Sequence, residues 1–225
     1  TLTAIVTAHS EGRLLRPTIR SVRAGLEKVV SDGYSAELLI VADNASPHTQ
    51  MQIGRELKTG SATVPSRAIN VAVGDAGAAR NAAAQAAQGK YVALVDGDDI
   101  VSSDYLVKAL ELLEATDERM IVHPEYVISF GARSLLWHIR SAVTDDVSYL
   151  DLIRHNPWPA CSVLERQVLL DTPYRPMVEG TGYGPEDWLW NIETTAAGVR
   201  HHVATDTYFF YRVRESGGVN NRHSA

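Results

Sequence analysis

The sequence predicts an α/β fold with a Rossmann-like, mostly parallel central sheet flanked by helices. Two observations lead there. Short apolar runs alternate with amphipathic helical patterns through the first half, as a parallel sheet covered on both faces requires. The two sharpest polar clusters, Asp43-Asn44 and Asp96-Gly97-Asp98-Asp99, each follow directly on such a run. That places them at the carboxyl ends of strands, where open α/β sheets bind ligands.

The elements follow in order. Leu2–Thr7 is an apolar run suited to a buried parallel strand, and His9-Ser10-Glu11-Gly12 is the loop after it. Leu15, Thr18, Ile19, Val22, Leu26, Val29 and Val30 recur at helical spacing, with Pro17 in the first turn. Ala36–Val41 is a second strand, ending at Asp43-Asn44. Thr49–Lys58 reads as a helix and Arg67–Val73 as a strand. The Ala-rich stretch Gly77–Gln88 is helical, with Gly89 as its stop. Tyr91–Val95 is a buried strand leading into the aspartate cluster. Leu106, Ala109, Leu110 and Leu113 then mark an amphipathic helix capped by Ser102 or Ser103.

The second half is less regular. Met120–Phe130 and Ser134–Ile139 pair as strands around Gly131, and Pro157-Trp158-Pro159 marks a loop. A glycine-rich loop, Gly180–Gly184, runs into a helix over Pro185–Ala197 that Gly198 ends. Val203–Val213 has strand composition, and the tail from Glu215 reads as mobile. There is no internal repeat and no linker. We therefore expect one domain over 1–225, with a regular half at 1–115 and a mixed half at 116–225.

Composition narrows the function. Over 225 residues the net charge is −6, and basic residues are scattered, which argues against nucleic-acid binding. Arg13, Arg16, Arg20 and Arg23 share one helix face, read first as a solvated face and second as a contact to acidic lipid or another anion. One cysteine, Cys161, allows no intrachain disulfide and points to a reducing compartment. No apolar run reaches membrane-span length. The expected location is cytoplasmic, with peripheral contact at the inner face of the membrane. Thr1 in place of an initiator Met and the abrupt end at Ala225 suggest a domain excised from a longer protein, although processing leaves the same pattern.

Asp96-Gly97-Asp98-Asp99 carries most of the chemical argument. Three carboxylates within four residues repel one another unless a cation neutralises them. Mg²⁺ and Mn²⁺ favour oxygen ligands, often one or two carboxylates plus substrate phosphates. A turn whose aspartates cap the next helix is the plainer alternative; the strand before the cluster favours metal.

With these residues in view, the sequence resembles the family 2 glycosyltransferases of GT-A fold. Thr3-Ala4-Ile5-Val6-Thr7-Ala8-His9-Ser10-Glu11 resembles their opening strand and loop, and Asp43 the Asp ending their second strand. Gly77-Ala78-Ala79-Arg80-Asn81 matches a small-residue helix, Asp96-Gly97-Asp98 the Asp-x-Asp motif, and Glu186-Asp187 a late helix start. The resemblance implies that Ala8, His9, Glu11 and Asp43 line the nucleotide base, and that Arg80 lies near sugar and diphosphate. It implies that 1–115 is the nucleotide-sugar-binding half and 116–225 the acceptor-binding half, that Asp96 faces ribose or donor sugar, and that Asp98 holds a Mn²⁺ or Mg²⁺ ion with Asp99 as partner or substitute. Asp187 is then the general base and Glu186 positions acceptor or base. Where many relatives carry a His after the last strand, this chain has Arg214, which neutralises diphosphate rather than ligating metal.

Each assignment has a structural alternative. Asp43-Asn44 also makes a turn before Pro47, Arg80 a surface ion pair, and His9 a satisfied loop contact. Glu186 and Asp187 also complement a helix dipole. Trp158, Trp188 and Trp190 read as core more than as sugar platforms, and His201, His202 and His223 as surface histidines. The expected activity is inverting transfer of a sugar from a nucleoside-diphosphate donor, UDP or dTDP before GDP, to a glycan or lipid-linked glycan acceptor in bacterial surface polysaccharide synthesis. Further domains of a longer chain are expected partners. A nucleotidyltransferase, a silent nucleotide- or carbohydrate-binding module and a structural interaction domain are the other readings.

Overall fold

The structure, a computed structural model, describes residues 1–145, 147, 149–176 and 186–214. The loop expected at Gly180–Gly184, Pro185, the tail from Glu215 and His223 lie outside the described residues.

Four strands of the first half, β1 (Leu2–Ala8), β2 (Ala36–Asp43), β3 (Ser66–Val71) and β4 (Tyr91–Asp96), pair in parallel in the order β3-β2-β1-β4. Helices α1 (Leu15–Ser31), α2 (Pro47–Thr59), α3 (Ala76–Ala86) and α4 (Tyr105–Glu114) connect or follow them. Because strand side chains alternate between faces, Leu38, Ile40 and Ala42 enter one core and Leu39 and Val41 the other. The first core is covered by α1, α2 and α4 and the second by α3. Near-continuous apolar runs in β1, β2 and β4 record this two-sided burial.

Beyond β4 the sheet becomes mixed. It contains β5 (Ile100–Val101), β6 (Met120–Gly131), β7 (Leu136–His138), β8 (Ser162–Glu165) and β9 (Arg200–Val213). From β4 the order is β8-β6-β9-β5; β8 is antiparallel to both its neighbours, β9 is parallel to β6, and β5 is antiparallel to β9. The hairpin expected around Gly131 forms between β6 and β7, and Gly131 adopts φ +98°. Helix α5 (Tyr149–Arg154) sends Leu152 into the first core, while α6 (Arg166–Asp171) and α7 (Glu186–Ala196) cover the second.

Several expectations need correcting. Helix α3 ends at Ala86 with extended Ala87 as its cap, so Gly89 is not its stop. A Cβ on Gly89 would lie 2.6 Å from the Tyr91 carbonyl and 2.7 Å from the Thr3 amide; close strand approach requires the glycine. The residue before α4 is Asp104, not a serine cap: the Ser103 hydroxyl accepts from Lys28 and the Ser102 hydroxyl from the Tyr208 amide. A 3₁₀ turn, Gly12–Leu14, precedes α1 where a plain loop was expected. The short elements α5, β5, β8 and α6 were not foreseen.

Candidate functional site

Strands β1, β2 and β4 end side by side, and each contributes polar groups there. At the β1 end the His9 ring nitrogen Nδ1 lies 2.7 Å from the Asp43 carbonyl, which closes the loop onto β2. Asp43 is buried, and its Oδ1 accepts from the amides of Val73 and Gly74 at 2.9 and 3.1 Å. Its carboxylate thereby orders the loop after β3. Ala8 is buried beside it, and Asn44 turns the chain with φ 45°.

The aspartate cluster follows β4 and splits in direction. Gly97 is required because a Cβ there would strike the Thr7 carbonyl of β1. Asp96 accepts from the Thr7 hydroxyl at 2.9 Å and from Arg80 at 2.8 and 3.1 Å. Burial works to raise the Asp96 carboxyl, but the Arg80 guanidinium and the Thr7 hydroxyl overcome it and hold it below the usual range. Asp98 faces the other way, toward Arg214, whose Nε donates to Oδ2 at 2.8 Å. Glu11 lies 3.7 Å from the same guanidinium. Burial, with Asp96 and Glu11 nearby, pushes the Asp98 carboxyl up although Arg214 opposes it. Asp99 is buried and accepts the Arg212 amide at 2.7 Å, and burial beside Asp96 and Asp98 raises its carboxyl well above the usual range.

Strand β9 makes this arrangement possible. It pairs with β5 and passes directly over the cluster, so that Arg212 Nε donates to the Asp98 carbonyl at 3.0 Å and Arg214 reaches the Asp98 side chain.

Arg80 joins the cluster to α7. It is buried, and one terminal nitrogen binds Asp96 while the other donates to Glu186 Oε1 at 3.0 Å. Its guanidinium also lies 5.2 Å from the Tyr174 ring centre. Burial works against its charge, yet Asp96 and Glu186 keep it firmly protonated. The small residues Ala79 and Ala83 let α3 approach the sheet closely, in line with the packing role expected of the alanine series.

Asp187 follows Glu186. Burial first, then the Glu186 charge, pushes its carboxyl up to about 6. Asn156 donates to Oδ2 at 3.0 Å, and the Trp188 amide to Oδ1 at 2.9 Å. Asn156 is itself held by Asn191, whose amide nitrogen lies 2.8 Å from Asn156 Oδ1 and 3.0 Å from the Trp158 carbonyl. Sequence reasoning missed both asparagines. Asn191 had a usable signal, since it stands one helical turn after Asp187 on the same face; Asn156, in a loop before Pro157, had none.

Trp158 and Trp190 are buried, as read from the sequence: Trp158 stacks on His201 and Trp190 on Tyr174. Trp188 donates to the Leu152 carbonyl at 2.6 Å. The histidine reading needs correction. His201 is fully buried, 2.9 Å from His123 through ring nitrogens, because β9 begins at Arg200 and carries it inside against Trp158. His202 is half-buried and bonded to the Ser141 hydroxyl.

Among the described residues no cluster of three or more His, Cys, Asp and Glu side chains is arranged to hold a metal ion. A cation carried on a diphosphate needs only one or two carboxylates. Asp98 fits that lesser demand: Oδ2 is taken by Arg214, while Oδ1 has no hydrogen-bond partner among the described residues. No helix among them is long and apolar enough to cross a membrane.

The sequence model of the family described as "Glycosyl transferase family 2" matches residues 3–171. The succinoglycan biosynthesis protein ExoO of Rhizobium meliloti is 25% identical over 208 residues, covering 86% of this chain and 57% of ExoO. The uncharacterized protein y4gI of Sinorhizobium fredii is 30% identical over 205 residues, covering 88% of this chain and 21% of y4gI. This chain thus spans less than two thirds of each. Among solved structures, S. aureus TarS residues 1–349 in complex with UDP-GlcNAc superposes with a TM-score of 0.74 at 17% identity, over 100% of this chain and 61% of that one. The same protein with UDP gives 0.69 at 16% identity, over 95% and 60%. The likeness to TarS is one of fold, the mixed α/β sheet flanked by helices expected of a GT-A domain.

Proposed function

The chain belongs to glycosyl transferase family 2, and from that premise we propose that it is the transferase domain of an inverting, nucleotide-sugar-dependent enzyme of polysaccharide synthesis. The observation that carries the reading is the Arg80 guanidinium bound to both Asp96 and Glu186. It ties the carboxylates at the end of β4 to the carboxylate pair that opens α7, which sets a donor pole facing a base.

The base of the nucleotide lies against Ala8, His9, Glu11 and Asp43. UDP is favoured, then dTDP, then GDP. Asp43 suits a uracil or thymine imide, and TarS, which shares this fold, was solved with UDP-GlcNAc and with UDP. Arg214 neutralises the diphosphate and Asp96 holds ribose or donor sugar, its own charge balanced by Arg80. Asp98 would be the carboxylate that holds a Mn²⁺ or Mg²⁺ ion; Asp99 stands next to it and fixes β9 through the Arg212 amide. A bound ion there supplies Lewis-acid stabilisation of the leaving group.

Asp187 removes the proton of the acceptor hydroxyl. Each carboxylate oxygen has two lone-pair directions, so a second hydrogen bond is available beyond those from Asn156 and Trp188. As that proton moves to Asp187, the acceptor oxygen bonds the anomeric carbon from the face opposite the diphosphate. The carbon–oxygen bond to phosphate breaks, its electron pair stays on the diphosphate, and the configuration inverts. A carboxyl near 6 is ionised at neutral pH yet more basic than an ordinary aspartate, which suits a general base. Glu186 stays bound to Arg80 and positions the pair. The acceptor is a glycan or lipid-linked glycan, and further domains of a longer chain complete its binding.

Calorimetric titration of UDP, dTDP and GDP with and without Mn²⁺, on wild type and Asp98→Ala, tests the donor side. Tight binding of UDP that weakens on loss of either metal or Asp98 is expected; no binding of any nucleotide overturns the reading. A product that retains the donor configuration overturns the inverting step.

A further inference from the structure

The arginine stripe on α1 lines a cleft beside α2. Arg16, Arg20 and Arg23 meet Arg55 of α2 across a cleft of about 370 Å³, within the size range of small-ligand sites (~300–1,000 Å³). Guanidinium groups stay charged at any accessible pH. One carboxylate, Glu56, opposes them, so four positive charges face one negative in a chain whose net charge is −6.

A purely structural role explains half of this. Glu56 is buried, lies 3.8 Å from Arg16 and 3.7 Å from Arg23, and accepts from Gln52 at 2.8 Å. That accounts for Arg16 and Arg23. It leaves Arg20 and Arg55, both exposed, whose guanidinium groups have no ion-pair or hydrogen-bond partner among the described residues, the Arg55 carbonyl alone accepting from the Thr59 hydroxyl. It also leaves the Nε of Arg23, which is buried with no hydrogen-bond partner. Buried donors without acceptors are uncommon in folded proteins. Like charges converging on one cleft, together with an orphaned donor, are the arrangement that a multiply charged anion relieves.

We propose that the cleft between α1 and α2 binds a phosphate-bearing anion, separate from the diphosphate position at Asp98 and Arg214. Arginine forks match phosphate oxygens in pairs, and an excess of positive charge suits a group with two or more negative charges, such as pyrophosphate or an anionic phospholipid headgroup. Arg20 and Arg55 make the first contacts, beside the Arg23 guanidinium that Glu56 holds.

The test titrates inorganic pyrophosphate into wild type, Arg20→Ser/Arg55→Ser and Arg214→Ser by calorimetry. In parallel, the same proteins are sedimented with phosphatidylcholine vesicles with and without phosphatidylglycerol. Arg20 and Arg55 are exposed, so the double variant should melt at the wild-type temperature; should it not, Arg55→Ser alone replaces it. The expected result is at least a tenfold loss of one pyrophosphate site or of vesicle binding in the double variant, with that binding kept in Arg214→Ser. Loss of vesicle binding assigns a lipid headgroup, and loss of pyrophosphate binding alone assigns a soluble phosphate. Equal binding by wild type and double variant, or binding by neither in both assays, overturns the proposal. The outcome is independent of the nucleotide site, which Arg214→Ser probes separately.

Discussion

Arg214 holds the Asp98 carboxylate with two nitrogens on one oxygen, Nε and a terminal nitrogen each 2.8 Å from Oδ2. In the proposed site the same guanidinium serves the diphosphate. Charge-assisted hydrogen bonds are worth about 1.5–3 kcal/mol each, so Arg214→Ser should weaken metal-free UDP binding by about 10- to 100-fold. Mn²⁺ should recover part of that loss, since Asp98 is then free of its counter-charge. Calorimetry with and without the ion checks both.

Arg80 serves two carboxylates with separate nitrogens, which an ammonium group cannot reproduce in the same geometry. Arg80→Ala leaves Asp96 and Glu186 without their cation and should cost about 3–5 kcal/mol of stability in urea denaturation. Arg80→Lys should fold but lose about 100-fold in kcat/KM, for about 2.7 kcal/mol of lost transition-state stabilisation. Near-wild-type transfer by Arg80→Lys would show that the bridge is structural only.

The Asp187 carboxyl near 6 sets a pH profile. A base must be ionised, so the transfer rate should fall tenfold per unit as pH drops below about 6 and level off above it. Asn156 donates to the charged form. In Asn156→Ala the midpoint should move up by about one unit or more, given about 1.5–3 kcal/mol for a bond to a charged group and 1.36 kcal/mol per unit. Asp187→Asn should abolish the profile with the activity. A rate–pH series on the three proteins separates the base from a helix-capping role.

His123 and His201 are buried together, and burial pushes His123 down to about 4 and His201 down as well. Both are neutral in the fold, whereas the unfolded chain protonates them below about 6.5. The stability they contribute is therefore present above that value and lost as pH falls toward 4. Thermal melts at pH 7 and pH 5 should show a smaller acid loss in His201→Gln than in wild type, because one of the two imidazoles no longer titrates.

Much of the first half was legible from sequence because parallel strands buried on both faces leave continuous apolar runs, as in β1, β2 and β4. The second half was not, for a physical reason. Strand β8 has four residues and α6 has six, too short to show a period, and they owe their form to pairing and packing. Gly89 misled because a glycine after an alanine-rich helix reads as a stop, while its reason for being there is close approach to the Thr3 and Tyr91 backbone. Most of the candidate polar residues could be picked out one by one. Their partners could not: which carboxylate Arg80 meets, or that Asn156 supports Asp187, depends on contacts between segments far apart in the chain.

The position of β9 sets an order of assembly during synthesis. It lies between β6 and β5 and is the last described strand, so Asp98 and Asp99 gain Arg214 and the Arg212 amide only once residue 214 has left the ribosome. Until then the emerging chain holds Asp96, Asp98 and Asp99 with Arg80 for Asp96 alone. Among the described contacts, those of Arg214 and Arg212 with the aspartate cluster are thus late to form on the translating ribosome, and a chain cut short before β9 lacks the proposed counter-charge for a diphosphate.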